Sequence, residues 1–385
     1  MHLKKKICGD IMIDKNELIN EFITLASFNS LSYEELDISL YLKKRLEDLG
    51  FSVIVDDAGK KLNNNPKATG NIYGFLKGNI KGKSICFSSH MDTVSPGINK
   101  KVIIDNDIIK SDGNTILGAD DINGILSIIK ALDIIKKNNL RHPDIEVVFF
   151  IAEEAFCMGS RIFDFNLIKS KYAYVFDLSG EIGLAAYKAP SIVSFEIEIL
   201  GKAAHAGFEI DKGISSILYA AKKISKLNVG KIDDETTMNI GLIEGGSGKN
   251  IVPYKTKIEG EIRSFKHEKA LKVLNGIKEI FLSDSKEENI IINFKYDENI
   301  FAYEVEKNSY VINRYKKALD DLNYNNFKLI ETFGGSDNNN FNKHNIEGIV
   351  VANAMNNIHT TNEYYDINDL IKSINIALKL MTIGE

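Results

Sequence analysis

The sequence predicts an α/β domain with a smaller α+β domain inserted into it. Three observations carry that prediction. Over the first half, apolar strands alternate with amphipathic helices, the pattern of a sheet flanked by helices. From about residue 189 the texture changes: "SIVSFEIEILG" alternates with period 2, as an antiparallel strand with one wet face does. After about residue 299 the helix "VINRYKKALDDL" and short strands resume the first domain. The expected boundaries are 1–188 and 299–385 for the larger domain and 189–298 for the insert, with hinges near 188 and 299. A chain of 385 residues is long enough for two domains.

The elements follow in order. Residues 14–50 read as helix, with apolar residues at i, i+3, i+4 and Gly50 as a C-cap. "FSVIVDD", "NIYGFLKG" and "KSICFSSH" read as strands. "DDINGILSIIKALDIIKK" is a long helix, its two leading acids suited to the positive end of the dipole. "DIEVVFFIAEE" reads as an apolar strand ending in acids, the look of a central buried strand, and "YAYVFDLSG" is another strand. In the insert, "GISSILYAAKKISKL" and "EKALKVLNGIKEIFLS" are helices among "TMNIGLIEGG", "KTKIEGEIRSF" and "NIIINFKYDEN". That is β-α-β-β-α-β, the order of a ferredoxin-like layer.

Composition excludes several classes. Apolar residues make up 44% and charged residues 26%, ordinary for a globular chain. The net charge of −5 gives no basic surface for nucleic acid or an anionic membrane. No apolar run approaches the roughly 20 residues a bilayer requires. "MHLKKK" is not followed by an apolar core, so no signal peptide is expected, and Met12 is an alternative start. Cys8, Cys86 and Cys157 are odd in number and unpaired in spacing, which argues against disulfides and for the cytoplasm. Cys86 should be buried in its strand, and Cys157, which follows an acidic pair, should approach a site. His2, His142, His267 and His344 belong to no motif and are expected on the surface.

The chemistry gathers at strand ends. His90 and Asp92 stand two residues apart, so an extended chain turns them to one side. Asp120, the pair Glu153-Glu154, Asp177 and His359 also fall at or just past the ends of elements. In α/β sheets that edge is where ligands bind. Clustered carboxylates repel unless a cation lies among them. Histidine with carboxylates suits zinc, with manganese or cobalt as alternatives. Five donors exceed one catalytic tetrahedral site, whereas two metals sharing a carboxylate fit the count.

Nine segments then carry a resemblance: "HMDTVSPG", "DGNTILGADDINGI", "IAEEAFCMGS", "VFDLSGEIG", "GKAAHAG", "IEGGSGKNIVP", "EGEIRSF", "FGGSDNNNF" and "NIHTTNEYY". The chain resembles the M20 metallopeptidases, in their peptidase T-like branch, from about residue 14 to its end. The resemblance implies a zinc-peptidase-like catalytic domain, a mixed sheet flanked by helices, with a ferredoxin-like lid. It implies two Zn2+ per subunit, with Co2+ or Mn2+ as alternatives. His90 and Asp177 would bind one ion and Glu154 and His359 the other, with Asp120 bridging and Asp92 orienting His90. A cis peptide would join Asp120 to Asp121. Glu153 would be the general base toward a metal-bridged water. His205 would stabilise the tetrahedral oxyanion, often in the partner subunit. Asn250 and Arg263 would hold substrate carbonyl and carboxylate groups, and Asp337 would line the pocket.

The implied activity is removal of an N-terminal residue from short peptides such as tripeptides. A carboxypeptidase or N-acyl-amino-acid amidohydrolase on the same site is the alternative. The implied partners are a peptide substrate and a second copy bound through the lid. Ser179, where relatives often have glycine, and Cys157 depart from the family pattern without removing a ligand.

Overall fold

The computed structural model describes residues 13–63 and 65–382; His2, Cys8 and Met12 lie outside them. Two compact units form. One comprises the chain up to Lys188, Glu304–Glu331 and the chain from Ser336 onward; the other is Ala189–Tyr303 with Thr332–Gly335.

The first unit is built on a mixed nine-stranded sheet. Its centre is four parallel neighbours, Ile145–Phe150, Ile85–His90, Tyr172–Leu178 and Glu347–Ala352. These strands are buried along nearly their whole length, as strands covered on both faces are. The long helix Ala119–Asn138 is buried over most of its length and packs on Ile85–His90, Tyr172–Leu178 and the helix Ile367–Thr382. Antiparallel strands complete the flank at Ile72–Leu76 and Ser52–Val55.

The expected helix over 14–50 is two helices, Lys15–Ala26 and Leu36–Leu49. The Asp14 carboxylate caps the first by accepting from Asn16 and Glu17 N–H, and Gly50 at φ +99° closes the second. Between them Ser32 and Glu35 bond to residues far along the chain, which breaks the helical run. A separate three-stranded sheet of Val102–Asp105, Ile108–Ser111 and Tyr364–Asp366 was not expected. Its signal was "IIDNDII", two apolar runs around an Asn-Asp turn with Asn106 at φ +56°.

The second unit is a five-stranded antiparallel sheet. Ser191–Leu200 sits between Lys255–Ser264 and Ile291–Ile300, and Thr236–Gly245 pairs with Lys255–Ser264. That is the ferredoxin-like order, extended by the short edge strand Gly230–Asp233. Helices Ser216–Ile224 and His267–Leu282 cover one face, closing a core of Val193, Phe195, Ile197, Ile258 and Phe281.

Two expectations about histidines are corrected. His142 is buried, 7% exposed, with Nδ1 2.8 Å from the Pro143 carbonyl. His267 is half-buried between Ser191 and Glu298.

Candidate metal centre and acid–base pair

The parallel strands end together, and their last residues carry the polar groups. His90 closes the strand Ile85–His90 and is 2% exposed. Its Nδ1 lies 2.9 Å from the Asp92 carbonyl and 3.4 Å from Asp92 Oδ1. That leaves Nε2 facing inward, 3.1 Å from Asp120 Oδ1 and 3.7 Å from Asp177 Oδ1. His359 arrives on a loop closed at its base by the paired Asn356 and Tyr364. Its Nε2 stands 3.0 Å from Glu154 Oε1 and 3.2 Å from Asp120 Oδ2. Asp120 therefore turns one oxygen to each imidazole.

The backbone around Asp120 explains how. The peptide between Asp120 and Asp121 is cis, and both residues are non-helical although the helix runs on after them. The two carboxylates part company here. Asp121 is buried beneath, its oxygens taken by Ser89 Oγ, by Asn353 Nδ2 at 2.5 Å and by Gly124 N–H at 3.2 Å. Gly124 must be glycine: a Cβ there would stand 2.2 Å from the Phe176 carbonyl. The turn before Asp120 is gripped by Glu363, whose Oε2 accepts from Leu117 at 2.6 Å and Gly118 at 2.8 Å.

Asp92 organises the acidic pair. Its Oδ1 accepts from Glu153 N–H at 2.9 Å and its Oδ2 from Glu154 N–H at 3.1 Å. Ser32 Oγ donates to Oδ2 at 2.7 Å. Glu153 is buried, and Cys157 Sγ donates to its Oε1 at 3.3 Å. Cys157 thus lies against Glu153.

The electrostatics describe a site short of positive charge. Burial first, and then neighbouring carboxylates, push Glu153 well above the usual carboxylate range. Asp177 is raised for the same reasons, and burial pushes Glu154 up to about 7. Hydrogen bonds to Asp120 and Glu154 push His359 up to about 10. Divalent cations remove this conflict, since they replace protons as the compensating charge. The donors fit: His90, Asp120 and Glu154 bring ligand atoms within 4.8 Å of one another, and so do His90, Asp121 and Asp177. Asp121 fits less well than Asp120, because its oxygens are already hydrogen-bonded. Asp92 stands behind His90 as orienting carboxylates do in metal sites.

Comparison with known proteins agrees with this geometry. Residues 187–289 match the M20 peptidase dimerisation domain, and residues 71–186 match peptidase family M28. The aminopeptidase PepT of Bacillus cereus ATCC 10987 is 34% identical, with 96% of this chain and 98% of that chain covered and a TM-score of 0.86. A tripeptidase of Staphylococcus aureus Mu50 is 30% identical over the same shares, with a TM-score of 0.90. The uncharacterized protein YqjE of Bacillus subtilis strain 168 is 34% identical over 370 residues, 96% of this chain and 99% of that protein. The chain belongs to the M20 metallopeptidases, in their peptidase T-like branch.

The M20 chain places its remaining candidates as follows. Asp337 opens the helix Asp337–Lys343, is 1% exposed and accepts from Ser160 Oγ at 2.6 Å. Its charge reaches Glu153, and burial pushes its own carboxyl up to about 8. In the second unit, His205 and Asn250 are brought together. His205 bridges to Ile251, and Ala206 N–H donates to the Asn250 carbonyl at 3.0 Å. His205 Nδ1 accepts from Gly207 and Phe208 N–H at 3.1 and 3.2 Å, so the neutral ring carries its proton on Nε2. Arg263 lies apart from them on the strand Lys255–Ser264, its Nε 2.7 Å from Glu261 and its Nη1 2.7 Å from the Phe333 carbonyl.

Glu363 and Asn353 were not singled out in the sequence, and Asp121 was named there only for its cis peptide with Asp120. Glu363 did lie inside a quoted motif, "NIHTTNEYY", and a lone acid there gave no sign of whose backbone it would hold.

Proposed function

We propose that the chain is a dinuclear zinc aminopeptidase that removes the N-terminal residue from short peptides, tripeptides among them. One observation carries the reading: the Asp120 carboxylate lies between two imidazoles, each beside a further carboxylate, Asp177 or Glu154. Zn2+ fits that donor set, with Co2+ or Mn2+ as alternatives. His90 and Asp177 would hold one ion, Glu154 and His359 the other, and Asp120 both. Bound there, such ions would supply Lewis-acid chemistry, lowering the pKa of a bound water and polarising the scissile carbonyl.

The chain's own residues do the rest. Among the described residues the Glu153 carboxylate accepts a hydrogen bond only from a thiol, so it is free to take a proton from the attacking water and deliver it to the leaving amine. Asp92 keeps His90 in one ring orientation and holds the Glu153-Glu154 backbone with the same carboxylate. His205, with Nε2–H outward, is the donor for the tetrahedral oxyanion. Asn250 and Arg263 hold the peptide, and Asp337 shapes the pocket beside Glu153. The first unit acts as the catalytic domain and the second as the lid.

The match to a dimerisation domain supports a homodimer through the second unit, whose strand Thr236–Gly245 exposes Leu242 and Ile243. The likeness to an aminopeptidase and a tripeptidase supports the substrate class. Among the described residues no helix is long and apolar enough to cross a membrane, and the cysteines Cys86 and Cys157 are free thiols, as in a reducing cytoplasm.

The test is a panel of di- and tripeptides, free and N-acylated, assayed with added zinc. Release of the N-terminal residue from free tripeptides is the expected result. Release of the C-terminal residue, or turnover of acylated substrates alone, moves the assignment to a carboxypeptidase or amidohydrolase on the same site.

A further inference from the structure

Where the chain leaves the sheet after Phe150, four consecutive backbone N–H groups each find a side-chain oxygen. Ile151 donates to Asn71 Oδ1 at 3.1 Å and Ala152 to Glu35 Oε1 at 3.0 Å. Glu153 and Glu154 donate to the two oxygens of Asp92. Asp92 has its place beside His90. Glu35, already met between the first two helices, has no part in the site as described so far.

Its circumstances are unusual. Glu35 is 0% exposed. Oε1 also accepts from Tyr33 N–H at 2.8 Å, and Oε2 has no hydrogen-bond partner among the described residues. A carboxyl with one oxygen committed to backbone and the other orphaned is a poor filler of apolar space. What it holds is the point where the strand turns. Ala152 sits at φ +48°, a left-handed conformation that non-glycine residues seldom adopt. On a regular strand, neighbouring side chains face opposite ways. The turn at Ala152 instead lets Glu153 and Glu154 both enter the buried cluster, and the Ala152 N–H is the group that Glu35 ties down.

We propose that Glu35 is a positioning residue for the acidic pair, setting through the Ala152 N–H where the Glu153 and Glu154 side chains point. The inference rests on the reading of Glu153 as base and Glu154 as ligand. It treats Glu35 as a hydrogen-bond acceptor rather than a charge, so an amide oxygen serves in its place.

The experiment compares the full-length protein with its Glu35→Gln and Glu35→Leu variants. It measures kcat and KM on a free tripeptide with added zinc, and amide hydrogen exchange across Ile151–Glu154. Glu35→Leu should speed exchange at Ala152 and its neighbours and lower kcat by about tenfold or more, the size seen when the partners behind metal ligands are removed, with KM little changed. Glu35→Gln should keep wild-type exchange and kcat within about threefold, since it retains the acceptor. Unchanged exchange in Glu35→Leu overturns the proposal whether or not the wild type cleaves peptides, which separates its failure from failure of the peptidase reading. So does a loss carried by KM, or an equal loss in both variants. If Glu35→Leu does not fold, Glu35→Gln decides: wild-type exchange and kcat support the proposal, and faster exchange or a tenfold loss overturns it.

Discussion

Glu363 Oε1 accepts the backbone N–H of Asp120 at 3.0 Å, across 243 residues of sequence. With Leu117 and Gly118 on its other oxygen, one carboxylate holds the whole turn that presents Asp120. Glu363→Ala should therefore weaken metal retention by roughly 10- to 100-fold, the usual cost of losing a ligand's supporting contacts. Competition with a graded chelator measures this. Unaltered retention would show that the turn holds its shape unaided.

Removal of metal should abolish turnover, and Zn2+, Co2+ or Mn2+ should restore it. Elemental analysis should find two ions per chain in the wild type and neither held firmly in Asp120→Ala, because that carboxylate faces both histidines. A single ion, or two retained without Asp120, contradicts the bridging role.

Glu153→Ala should bind metal normally and lose about 10²- to 10⁴-fold in kcat, the range for removing a general base. Glu154→Ala should lose metal instead. Equal metal loss in both variants would mean that the two acids are not divided as proposed.

His205→Ala should lower kcat by about 10²-fold with little change in KM, as loss of an oxyanion donor does. Mixing it with Glu153→Ala subunits tests the dimer. Partial recovery of activity shows that His205 serves the partner's site. No recovery, with dimers present, confines it to its own subunit.

Glu35 gives a stability prediction. Burial first, and then the negative charge of Asp92, push its carboxyl from an ordinary 4.5 up to about 8. A raised carboxyl keeps its proton in the folded state after the unfolded state has lost it. That stabilisation is complete below about pH 4.5 and is lost as pH rises through about 8. Glu35→Gln does not titrate, so its melting temperature relative to wild type should rise between about pH 5 and pH 8.5. A difference that stays flat across that window would mean the carboxyl titrates at its ordinary value.

Much of the site was legible because its residues sit where the chain changes state. His90, Asp177 and the acidic pair follow apolar runs that can only be buried strands, and strands covered on both faces expose functional groups only at their ends. The supporting residues were not legible. Glu35 lay in a stretch that read as helix, and Glu363 in a motif read for its histidine, His359.

By itself, then, the sequence determined the two-part architecture, the residue types of the candidate metal site and their order along the chain, because periodicity and local chemistry are properties of neighbours. Only the tertiary structure decided which backbone each buried carboxylate holds. Asp121 and Asp120 are adjacent and both acidic, yet one is locked under the sheet by Ser89 and Asn353 while the other faces the histidines. That difference depends on donors contributed from far along the chain, and such pairings are set only when packing brings the donors within hydrogen-bond reach.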